Sequence, residues 1–136
     1  MINFELDERL KEDCHILLEE QSFYLLLMDN VLIPWFILVP KTDKTELFQL
    51  TVEQQRNYLE QTNCIAAFIS SDLKADKINI GAIGNIVKQL HIHIIGRFIN
   101  DPYWPGVVWG RDQKQAYSKK EFENLKQQFI SFWAQT

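Results

Sequence analysis

The sequence predicts a single α+β domain, an antiparallel sheet with a long packed helix and a C-terminal helix. Three observations predict it. Two short apolar runs separated by a turn signal open the ordered part of the chain. A long capped segment with helical apolar spacing follows, and then two more strand-like runs precede a second capped helical segment. Strands gathered as hairpins, with helices between and after them, place helices on an antiparallel sheet rather than between parallel strands.

The elements follow in order. Glu5 to Asp13 is charged at most positions and reads as a short opening helix or turn. Ser22 to Met28 is dense in aromatic and aliphatic residues and reads as a buried strand, with Asp29-Asn30 supplying the turn after it. Trp35 to Val39 is a second apolar strand closed by Pro40, and the two pair as a hairpin. Thr51 to Leu73 is the clearest helix. Thr51 caps it, Gln54 completes a capping box, and Tyr58, Ile65, Phe68 and Ile69 fall on the face that meets the sheet. Lys74 to Lys77 is a polar connection, Lys77 to Ile80 a third strand, and Gly81 and Gly84 sit in a turn. Val87 to Phe98 reads as a fourth strand. Asp101 to Gly110, with two prolines, two tryptophans and two glycines, is an ordered irregular loop. Ser118 to Ala134 is the closing helix, capped by Ser118 with Glu121 at the capping-box position, and Leu125, Phe129 and Trp133 share one face.

Composition bounds the function. The 136 residues make one domain, and a chain of this length buries about 70% of its unfolded surface, enough for a core without staples. With 46% hydrophobic and 24% charged residues the balance is that of a soluble globular protein. A formal charge of −4 argues against a general grip on nucleic acid, which requires a basic face, but leaves room for a small phosphorylated ligand. Cys14 and Cys64 lie far apart and outside any CxxC, as expected of reduced thiols in the cytoplasm. The acidic opening segment is wrong for a signal peptide, and the apolar stretch from Tyr24 to Pro40 is broken by Asp29 and two prolines, so no membrane span is expected.

Chemistry concentrates in Gln89-Leu90-His91-Ile92-His93-Ile94-Ile95-Gly96-Arg97. In a strand, side chains alternate, so Gln89, His91, His93 and Arg97 share one face with Ile95, while Leu90, Ile92 and Ile94 pack under the long helix. Three readings stand side by side. The histidines are hydrogen-bonded strand residues without chemistry. They are two ligands of a mononuclear metal, which then lacks a third and fourth, His15 being the one other histidine. Or a neutral imidazole attacks phosphorus to form a phosphoramidate that water cleaves, with an amide and Arg97 on the nonbridging oxygens. Gly81 and Gly84 suit either a tight turn or a backbone that approaches a phosphate closely.

The stretch from Gly84 to Ile95 resembles the signature of the histidine triad (HIT) superfamily, His-φ-His-φ-His-φ-φ with φ apolar, preceded by Gly-Gln-x-Val-x. Pro34-Trp35-Phe36-Ile37-Leu38-Val39-Pro40 resembles the family's Pro-Gly-His-x-Leu-φ-φ-Pro strand. The motif-bearing core spans about residues 20–100, with a C-terminal loop and helix over 101–136. The resemblance implies a HIT-like fold, and a nucleotide hydrolase or nucleotidyl transferase acting at the α-phosphate of a nucleoside phosphoramidate or dinucleoside polyphosphate. His91 falls at the nucleophile and His93 at the third triad position. Asn85 stands where the family has a phosphate-contacting Gln, and Asp29 or Asn30 near a ribose-binding residue. Gln89 replaces the first triad histidine, as in a bacterial subgroup of the family; it can donate a hydrogen bond to phosphate but cannot transfer a proton. Trp35-Phe36 replaces Gly-His, removing an imidazole partner and adding bulk. Trp104 or Trp109 stacks on a base, or else anchors the loop to the core or a dimer partner. The resemblance further implies a homodimer with a nucleotide as small-molecule partner, while composition points to a cytoplasmic location. No metal site or tightly bound cofactor is expected, although Mg²⁺ can accompany a polyphosphate substrate. A nucleotide-binding module without turnover is the alternative.

Overall fold

The computed structural model describes residues 3–136. Five strands form one sheet: β1 (Cys14–Glu19), β2 (Phe23–Met28), β3 (Trp35–Pro40), β4 (Lys77–Gly81) and β5 (Ile92–Arg97). They lie in the order β1-β2-β3-β5-β4, and every neighbouring pair is antiparallel. Three α-helices accompany them: α1 (Glu8–Asp13), α2 (Val52–Ser71) and α3 (Lys119–Trp133), with a 3₁₀ turn at Leu47–Gln49. The α+β class and the hairpin of β2 and β3 are as expected. Among the described residues, no helix is long and apolar enough to cross a membrane.

The helix ends follow from the sequence. Thr51 Oγ1 accepts from the Gln54 N–H and Gln54 Oε1 from the Thr51 N–H, while Ser118 and Glu121 do the same for α3. Tyr58, Ile65, Phe68 and Ile69 of α2 are buried, as their spacing predicts. They meet Leu25, Leu27, Phe36, Leu38, Ile92 and Ile94 from the sheet and Phe129 from α3 in one core. Leu6, Leu10, Leu26, Trp35, Ile37, Ile95, Tyr103 and Val108 form a second core on the opposite face. The sheet is thus covered by α2 and α3 on one side and by α1 and the loop after β5 on the other.

Two expectations are corrected. β1 has no counterpart in the sequence reading, which expects four strands. It is an edge strand, irregular between Ile16 and Leu18, and buries only Leu17 fully, so its pattern does not alternate cleanly. The strand expected over Val87 to Phe98 is confined to Ile92–Arg97. Its ladder with β3 runs from Trp35↔Ile95 to Leu38↔Ile92 and its ladder with β4 ends at Gly81↔His93. Residues 87–91 enter neither ladder.

At Gly96, α2 packs directly on β5. A Cβ there would lie 2.5 Å from Ile69 and 2.7 Å from Pro34, so the position admits no side chain.

Candidate active site

The alternation expected for β5 holds through the two histidines: Ile92 and Ile94 join the α2 core, and His93 lies on the opposite face with Ile95. His91 immediately precedes the strand. Both imidazoles are buried, with ring centres 4.9 Å apart at a steep angle.

The hydrogen bonds assign the tautomers. His91 Nδ1 lies 2.6 Å from the Gln89 carbonyl oxygen, which can only accept, so Nδ1 carries the proton. When the ring is neutral, Nε2 then keeps its lone pair. Trp35 Nε1–H donates to His93 Nδ1 at 2.9 Å, so the proton of neutral His93 sits on Nε2. Burial, and then the neighbouring His91, push His93 from 6.5 down to about 3, so it is neutral near pH 7. Trp109 from the loop after β5 meets His93 edge to face at 5.4 Å and Trp35 at 6.4 Å. Its Nε1–H is buried without a partner among the described residues.

Two cavities adjoin residues of this site. His91 lines one of about 200 Å³ with Thr45, Glu46, Gly84, Lys88 and Gln89. Trp35, bonded to His93, lines another of about 430 Å³ with Asp29, Asn30, Tyr103, Arg111 and Lys114. Gly84 adopts a left-handed φ of +65°, which glycine takes without steric cost, and starts the exposed bend carrying Asn85. Among the described residues, no backbone-to-backbone hydrogen bond outside the regular elements involves residues 82–91. The amides of this loop are free for an acceptor.

The structure brings His91 and His93 together and commits the side chains of Gln89, Arg97 and Asn30 to other partners. The Gln89 side chain, expected on phosphate, is taken by the N-terminal segment: Nε2 donates to the Glu5 carbonyl and Oε1 accepts from the Asp7 N–H, each at 2.9 Å. Arg97, expected on the same phosphate, is buried and bonded to both carboxylate oxygens of Asp101 and to Asn79 Oδ1. Four residues beyond His93 along a strand, its Cα is about 13 Å away. Its guanidinium anchors the following loop, where Trp104 lies over it at 5.7 Å. Asn30 is buried and spends its amide on Tyr103 Oη and on the N–H groups of Leu32 and Gln115. Asp29 uses one oxygen, Oδ1, for His15 Nε2 and for the Tyr117 N–H. Burial opposes its ionisation, but those two bonds outweigh it and hold the carboxyl below its ordinary value.

Sequence reasoning missed the donor role of Trp35 and the place of Lys88, Thr45 and Glu46 around His91. Trp35 is legible once register is known: Ile37 pairs with His93, so Trp35 is its diagonal neighbour. Nothing local marks Thr45 or Glu46, which arrive from the loop after β3. Among the described residues, no three His, Cys, Asp or Glu side chains gather where they could hold a metal ion.

Known proteins agree with this architecture. The family model of the HIT domain matches residues 9–100. A histidine triad protein of Sinorhizobium meliloti is 39% identical with a TM-score of 0.91, over 95% of this chain and 96% of that one. One from Marinobacter aquaeolei is 36% identical with a TM-score of 0.92, over 97% of each chain. One from Bradyrhizobium japonicum is 33% identical with a TM-score of 0.90, over 94% of this chain and 96% of the other. No curated protein matches the chain.

Proposed function

The chain belongs to the HIT domain family, and from that premise we propose that it is a nucleotide hydrolase or nucleotidyl transferase with His91 as nucleophile. The observation that carries this reading is the Nδ1 bond from His91 to the Gln89 carbonyl, which leaves Nε2 as the lone pair beside a neutral His93. Nε2 attacks the α-phosphorus of a nucleoside phosphoramidate or dinucleoside polyphosphate. The bond to the leaving group breaks with its electron pair, and the leaving group takes a proton from water. A second water then attacks phosphorus and gives its proton to the hydroxide left by the first, the N–P bond breaks, and the pair returns to Nε2.

The two cavities suit the two halves of such a substrate. The nucleoside enters the larger one, where Asp29 keeps Oδ2 outside the bonds to His15 and Tyr117. The phosphate lies over the free amides after Gly84, within reach of Asn85, and the leaving group lies beside Lys88. Mg²⁺, where a polyphosphate is the substrate, arrives with the phosphates. We propose a second copy of the chain as the protein partner. The open edge strand β4 exposes Ile80, and Leu47, Tyr58, Leu59, Ile80 and Ile92 line an apolar groove of about 260 Å³ against α2.

A screen of nucleoside phosphoramidates and dinucleoside polyphosphates, run beside His91→Ala, tests the mechanism. Turnover is expected to fall at least ~10³-fold in the variant, because the nucleophile is the step itself. Equal rates overturn it. The engagement of both Gln89 amide atoms also favours a second reading, binding without turnover, since that side chain is no longer free to hold the phosphate through the reaction. Calorimetric binding of AMP or GMP by a chain that releases no product would establish that reading.

A further inference from the structure

Gln89 joins two parts of the molecule that are distant in sequence. Its backbone carbonyl receives the His91 Nδ1 proton, and its side-chain amide receives the Asp7 N–H and donates to the Glu5 carbonyl. Residues 87–91 lie outside every strand ladder, so no sheet hydrogen bond fixes the orientation of that carbonyl. The segment that Gln89 grips is itself anchored: Leu6 and Leu10 are buried in the second core, and Asp7 caps α1 by accepting from the Arg9 N–H at 2.8 Å.

The chemistry of the residue fits this task. A carboxamide presents a donor and an acceptor on neighbouring atoms aimed the same way. The C=O of Glu5 and the N–H of Asp7 offer the complementary pair along an extended backbone. An imidazole cannot substitute, because its two nitrogens point apart across the ring and could meet one of the two groups but not both. Two bonds from one planar amide to one stretch of backbone hold residue 89 in a single orientation.

We propose that Gln89 is a positioning residue for His91. Its amide staples residue 89 to the N-terminal segment, and the carbonyl thereby held fixes His91 in the Nδ1–H tautomer with Nε2 free. The N-terminal segment is then part of the catalytic apparatus without touching substrate. The consequence for rate rests on His91 being the nucleophile; the consequence for the tautomer does not.

The backbone offers a narrow test. Asp7 has φ −56°, a value that proline adopts without strain. Asp7→Pro deletes the N–H that Gln89 Oε1 receives, and Asp7→Ala keeps it; both lose the carboxylate cap on Arg9, so their difference isolates the staple. The ¹⁵N spectrum of the His91 ring, near neutral pH in the full chain, is the first readout. Asp7→Ala is expected to keep the protonated-Nδ1 signature of the unaltered chain, and Asp7→Pro to show a mixture of tautomers. The second readout is turnover of the best substrate from the screen, where Asp7→Pro should lower kcat about tenfold relative to Asp7→Ala with KM nearly unchanged. Gln89→Met, which keeps the volume and removes both bonds, should reproduce Asp7→Pro and serves in its place should the proline variant not fold. Unaltered His91 nitrogen signals in Asp7→Pro and Gln89→Met overturn the proposal. A chain that turns over no substrate overturns the mechanism proposed for His91, and the spectra still decide the staple.

Discussion

At the scale of single residues, the site depends on which nitrogen carries which proton. Both histidines and their spacing are visible in the sequence, but their hydrogen-bond partners are not. A tryptophan 58 positions away sets the tautomer of His93, and a main-chain carbonyl sets that of His91. The replacement of Gly-His by Trp35-Phe36 reads in the sequence as the loss of a polar partner. In the fold, Phe36 goes to the α2 core and the Trp35 indole supplies the donor. The burial of His93 has a consequence for stability. Between about 3 and its ordinary 6.5, the unfolded chain binds a proton at this position that the folded chain excludes. More protons on the unfolded state means that stability rises with pH across this window, by up to ~1.4 kcal/mol per unit. Denaturant unfolding at pH 4.5 and 6.5 should therefore show a larger difference for the unaltered chain than for His93→Gln. Equal differences would show that His93 titrates normally.

At the scale of elements, the caps and the helical periodicity were legible because they involve residues three or four apart. The extent of β5 was not, because a strand ends where its pairing with its neighbours ends, and that pairing is named by no local pattern. The loop after β5 shows the same limit. Its prolines and glycines mark it as irregular, yet its order comes from one carboxylate. Asp101 accepts from the Arg97 guanidinium and from the N–H groups of Phe98, Tyr103 and Trp104, and both charged side chains are 2% exposed. Burial opposes the ionisation of Asp101, but Arg97 and the backbone donors prevail and hold its carboxyl below the usual range. Asp101→Asn leaves the Arg97 charge buried and unpaired and sets an NH₂ group among N–H donors. A loss of about 3–5 kcal/mol is expected, read from denaturant midpoints. A change below 1 kcal/mol would mean that the pair does not organise the loop.

At the scale of the whole molecule, the two faces of the sheet have different tasks. One carries the larger core under α2 and α3. The other holds the imidazoles beneath elements from both ends of the chain, α1 and the loop bearing Tyr103, Val108 and Trp109. The proposed pairing of two copies belongs to this scale, since it would cover the β4 edge and the groove beside α2. Light scattering at micromolar concentration should return twice the 16.1 kDa chain mass, and a charged substitution at Ile80 should lower it toward one chain. A monomer throughout would remove the dimer from the reading. The sequence by itself determined the α+β class, the helix caps, the sheet-facing residues of α2 and the position of the two histidines. Each rests on spacing within a few residues, where backbone geometry alone decides what shares a face. Only the tertiary structure decided that Arg97 serves a loop, that Asn30 fastens the C-terminal segment and that Gln89 grips the N-terminus. A long polar side chain takes whichever complementary group the fold brings within 3 Å, and those groups lie 82 and 84 residues away for Gln89.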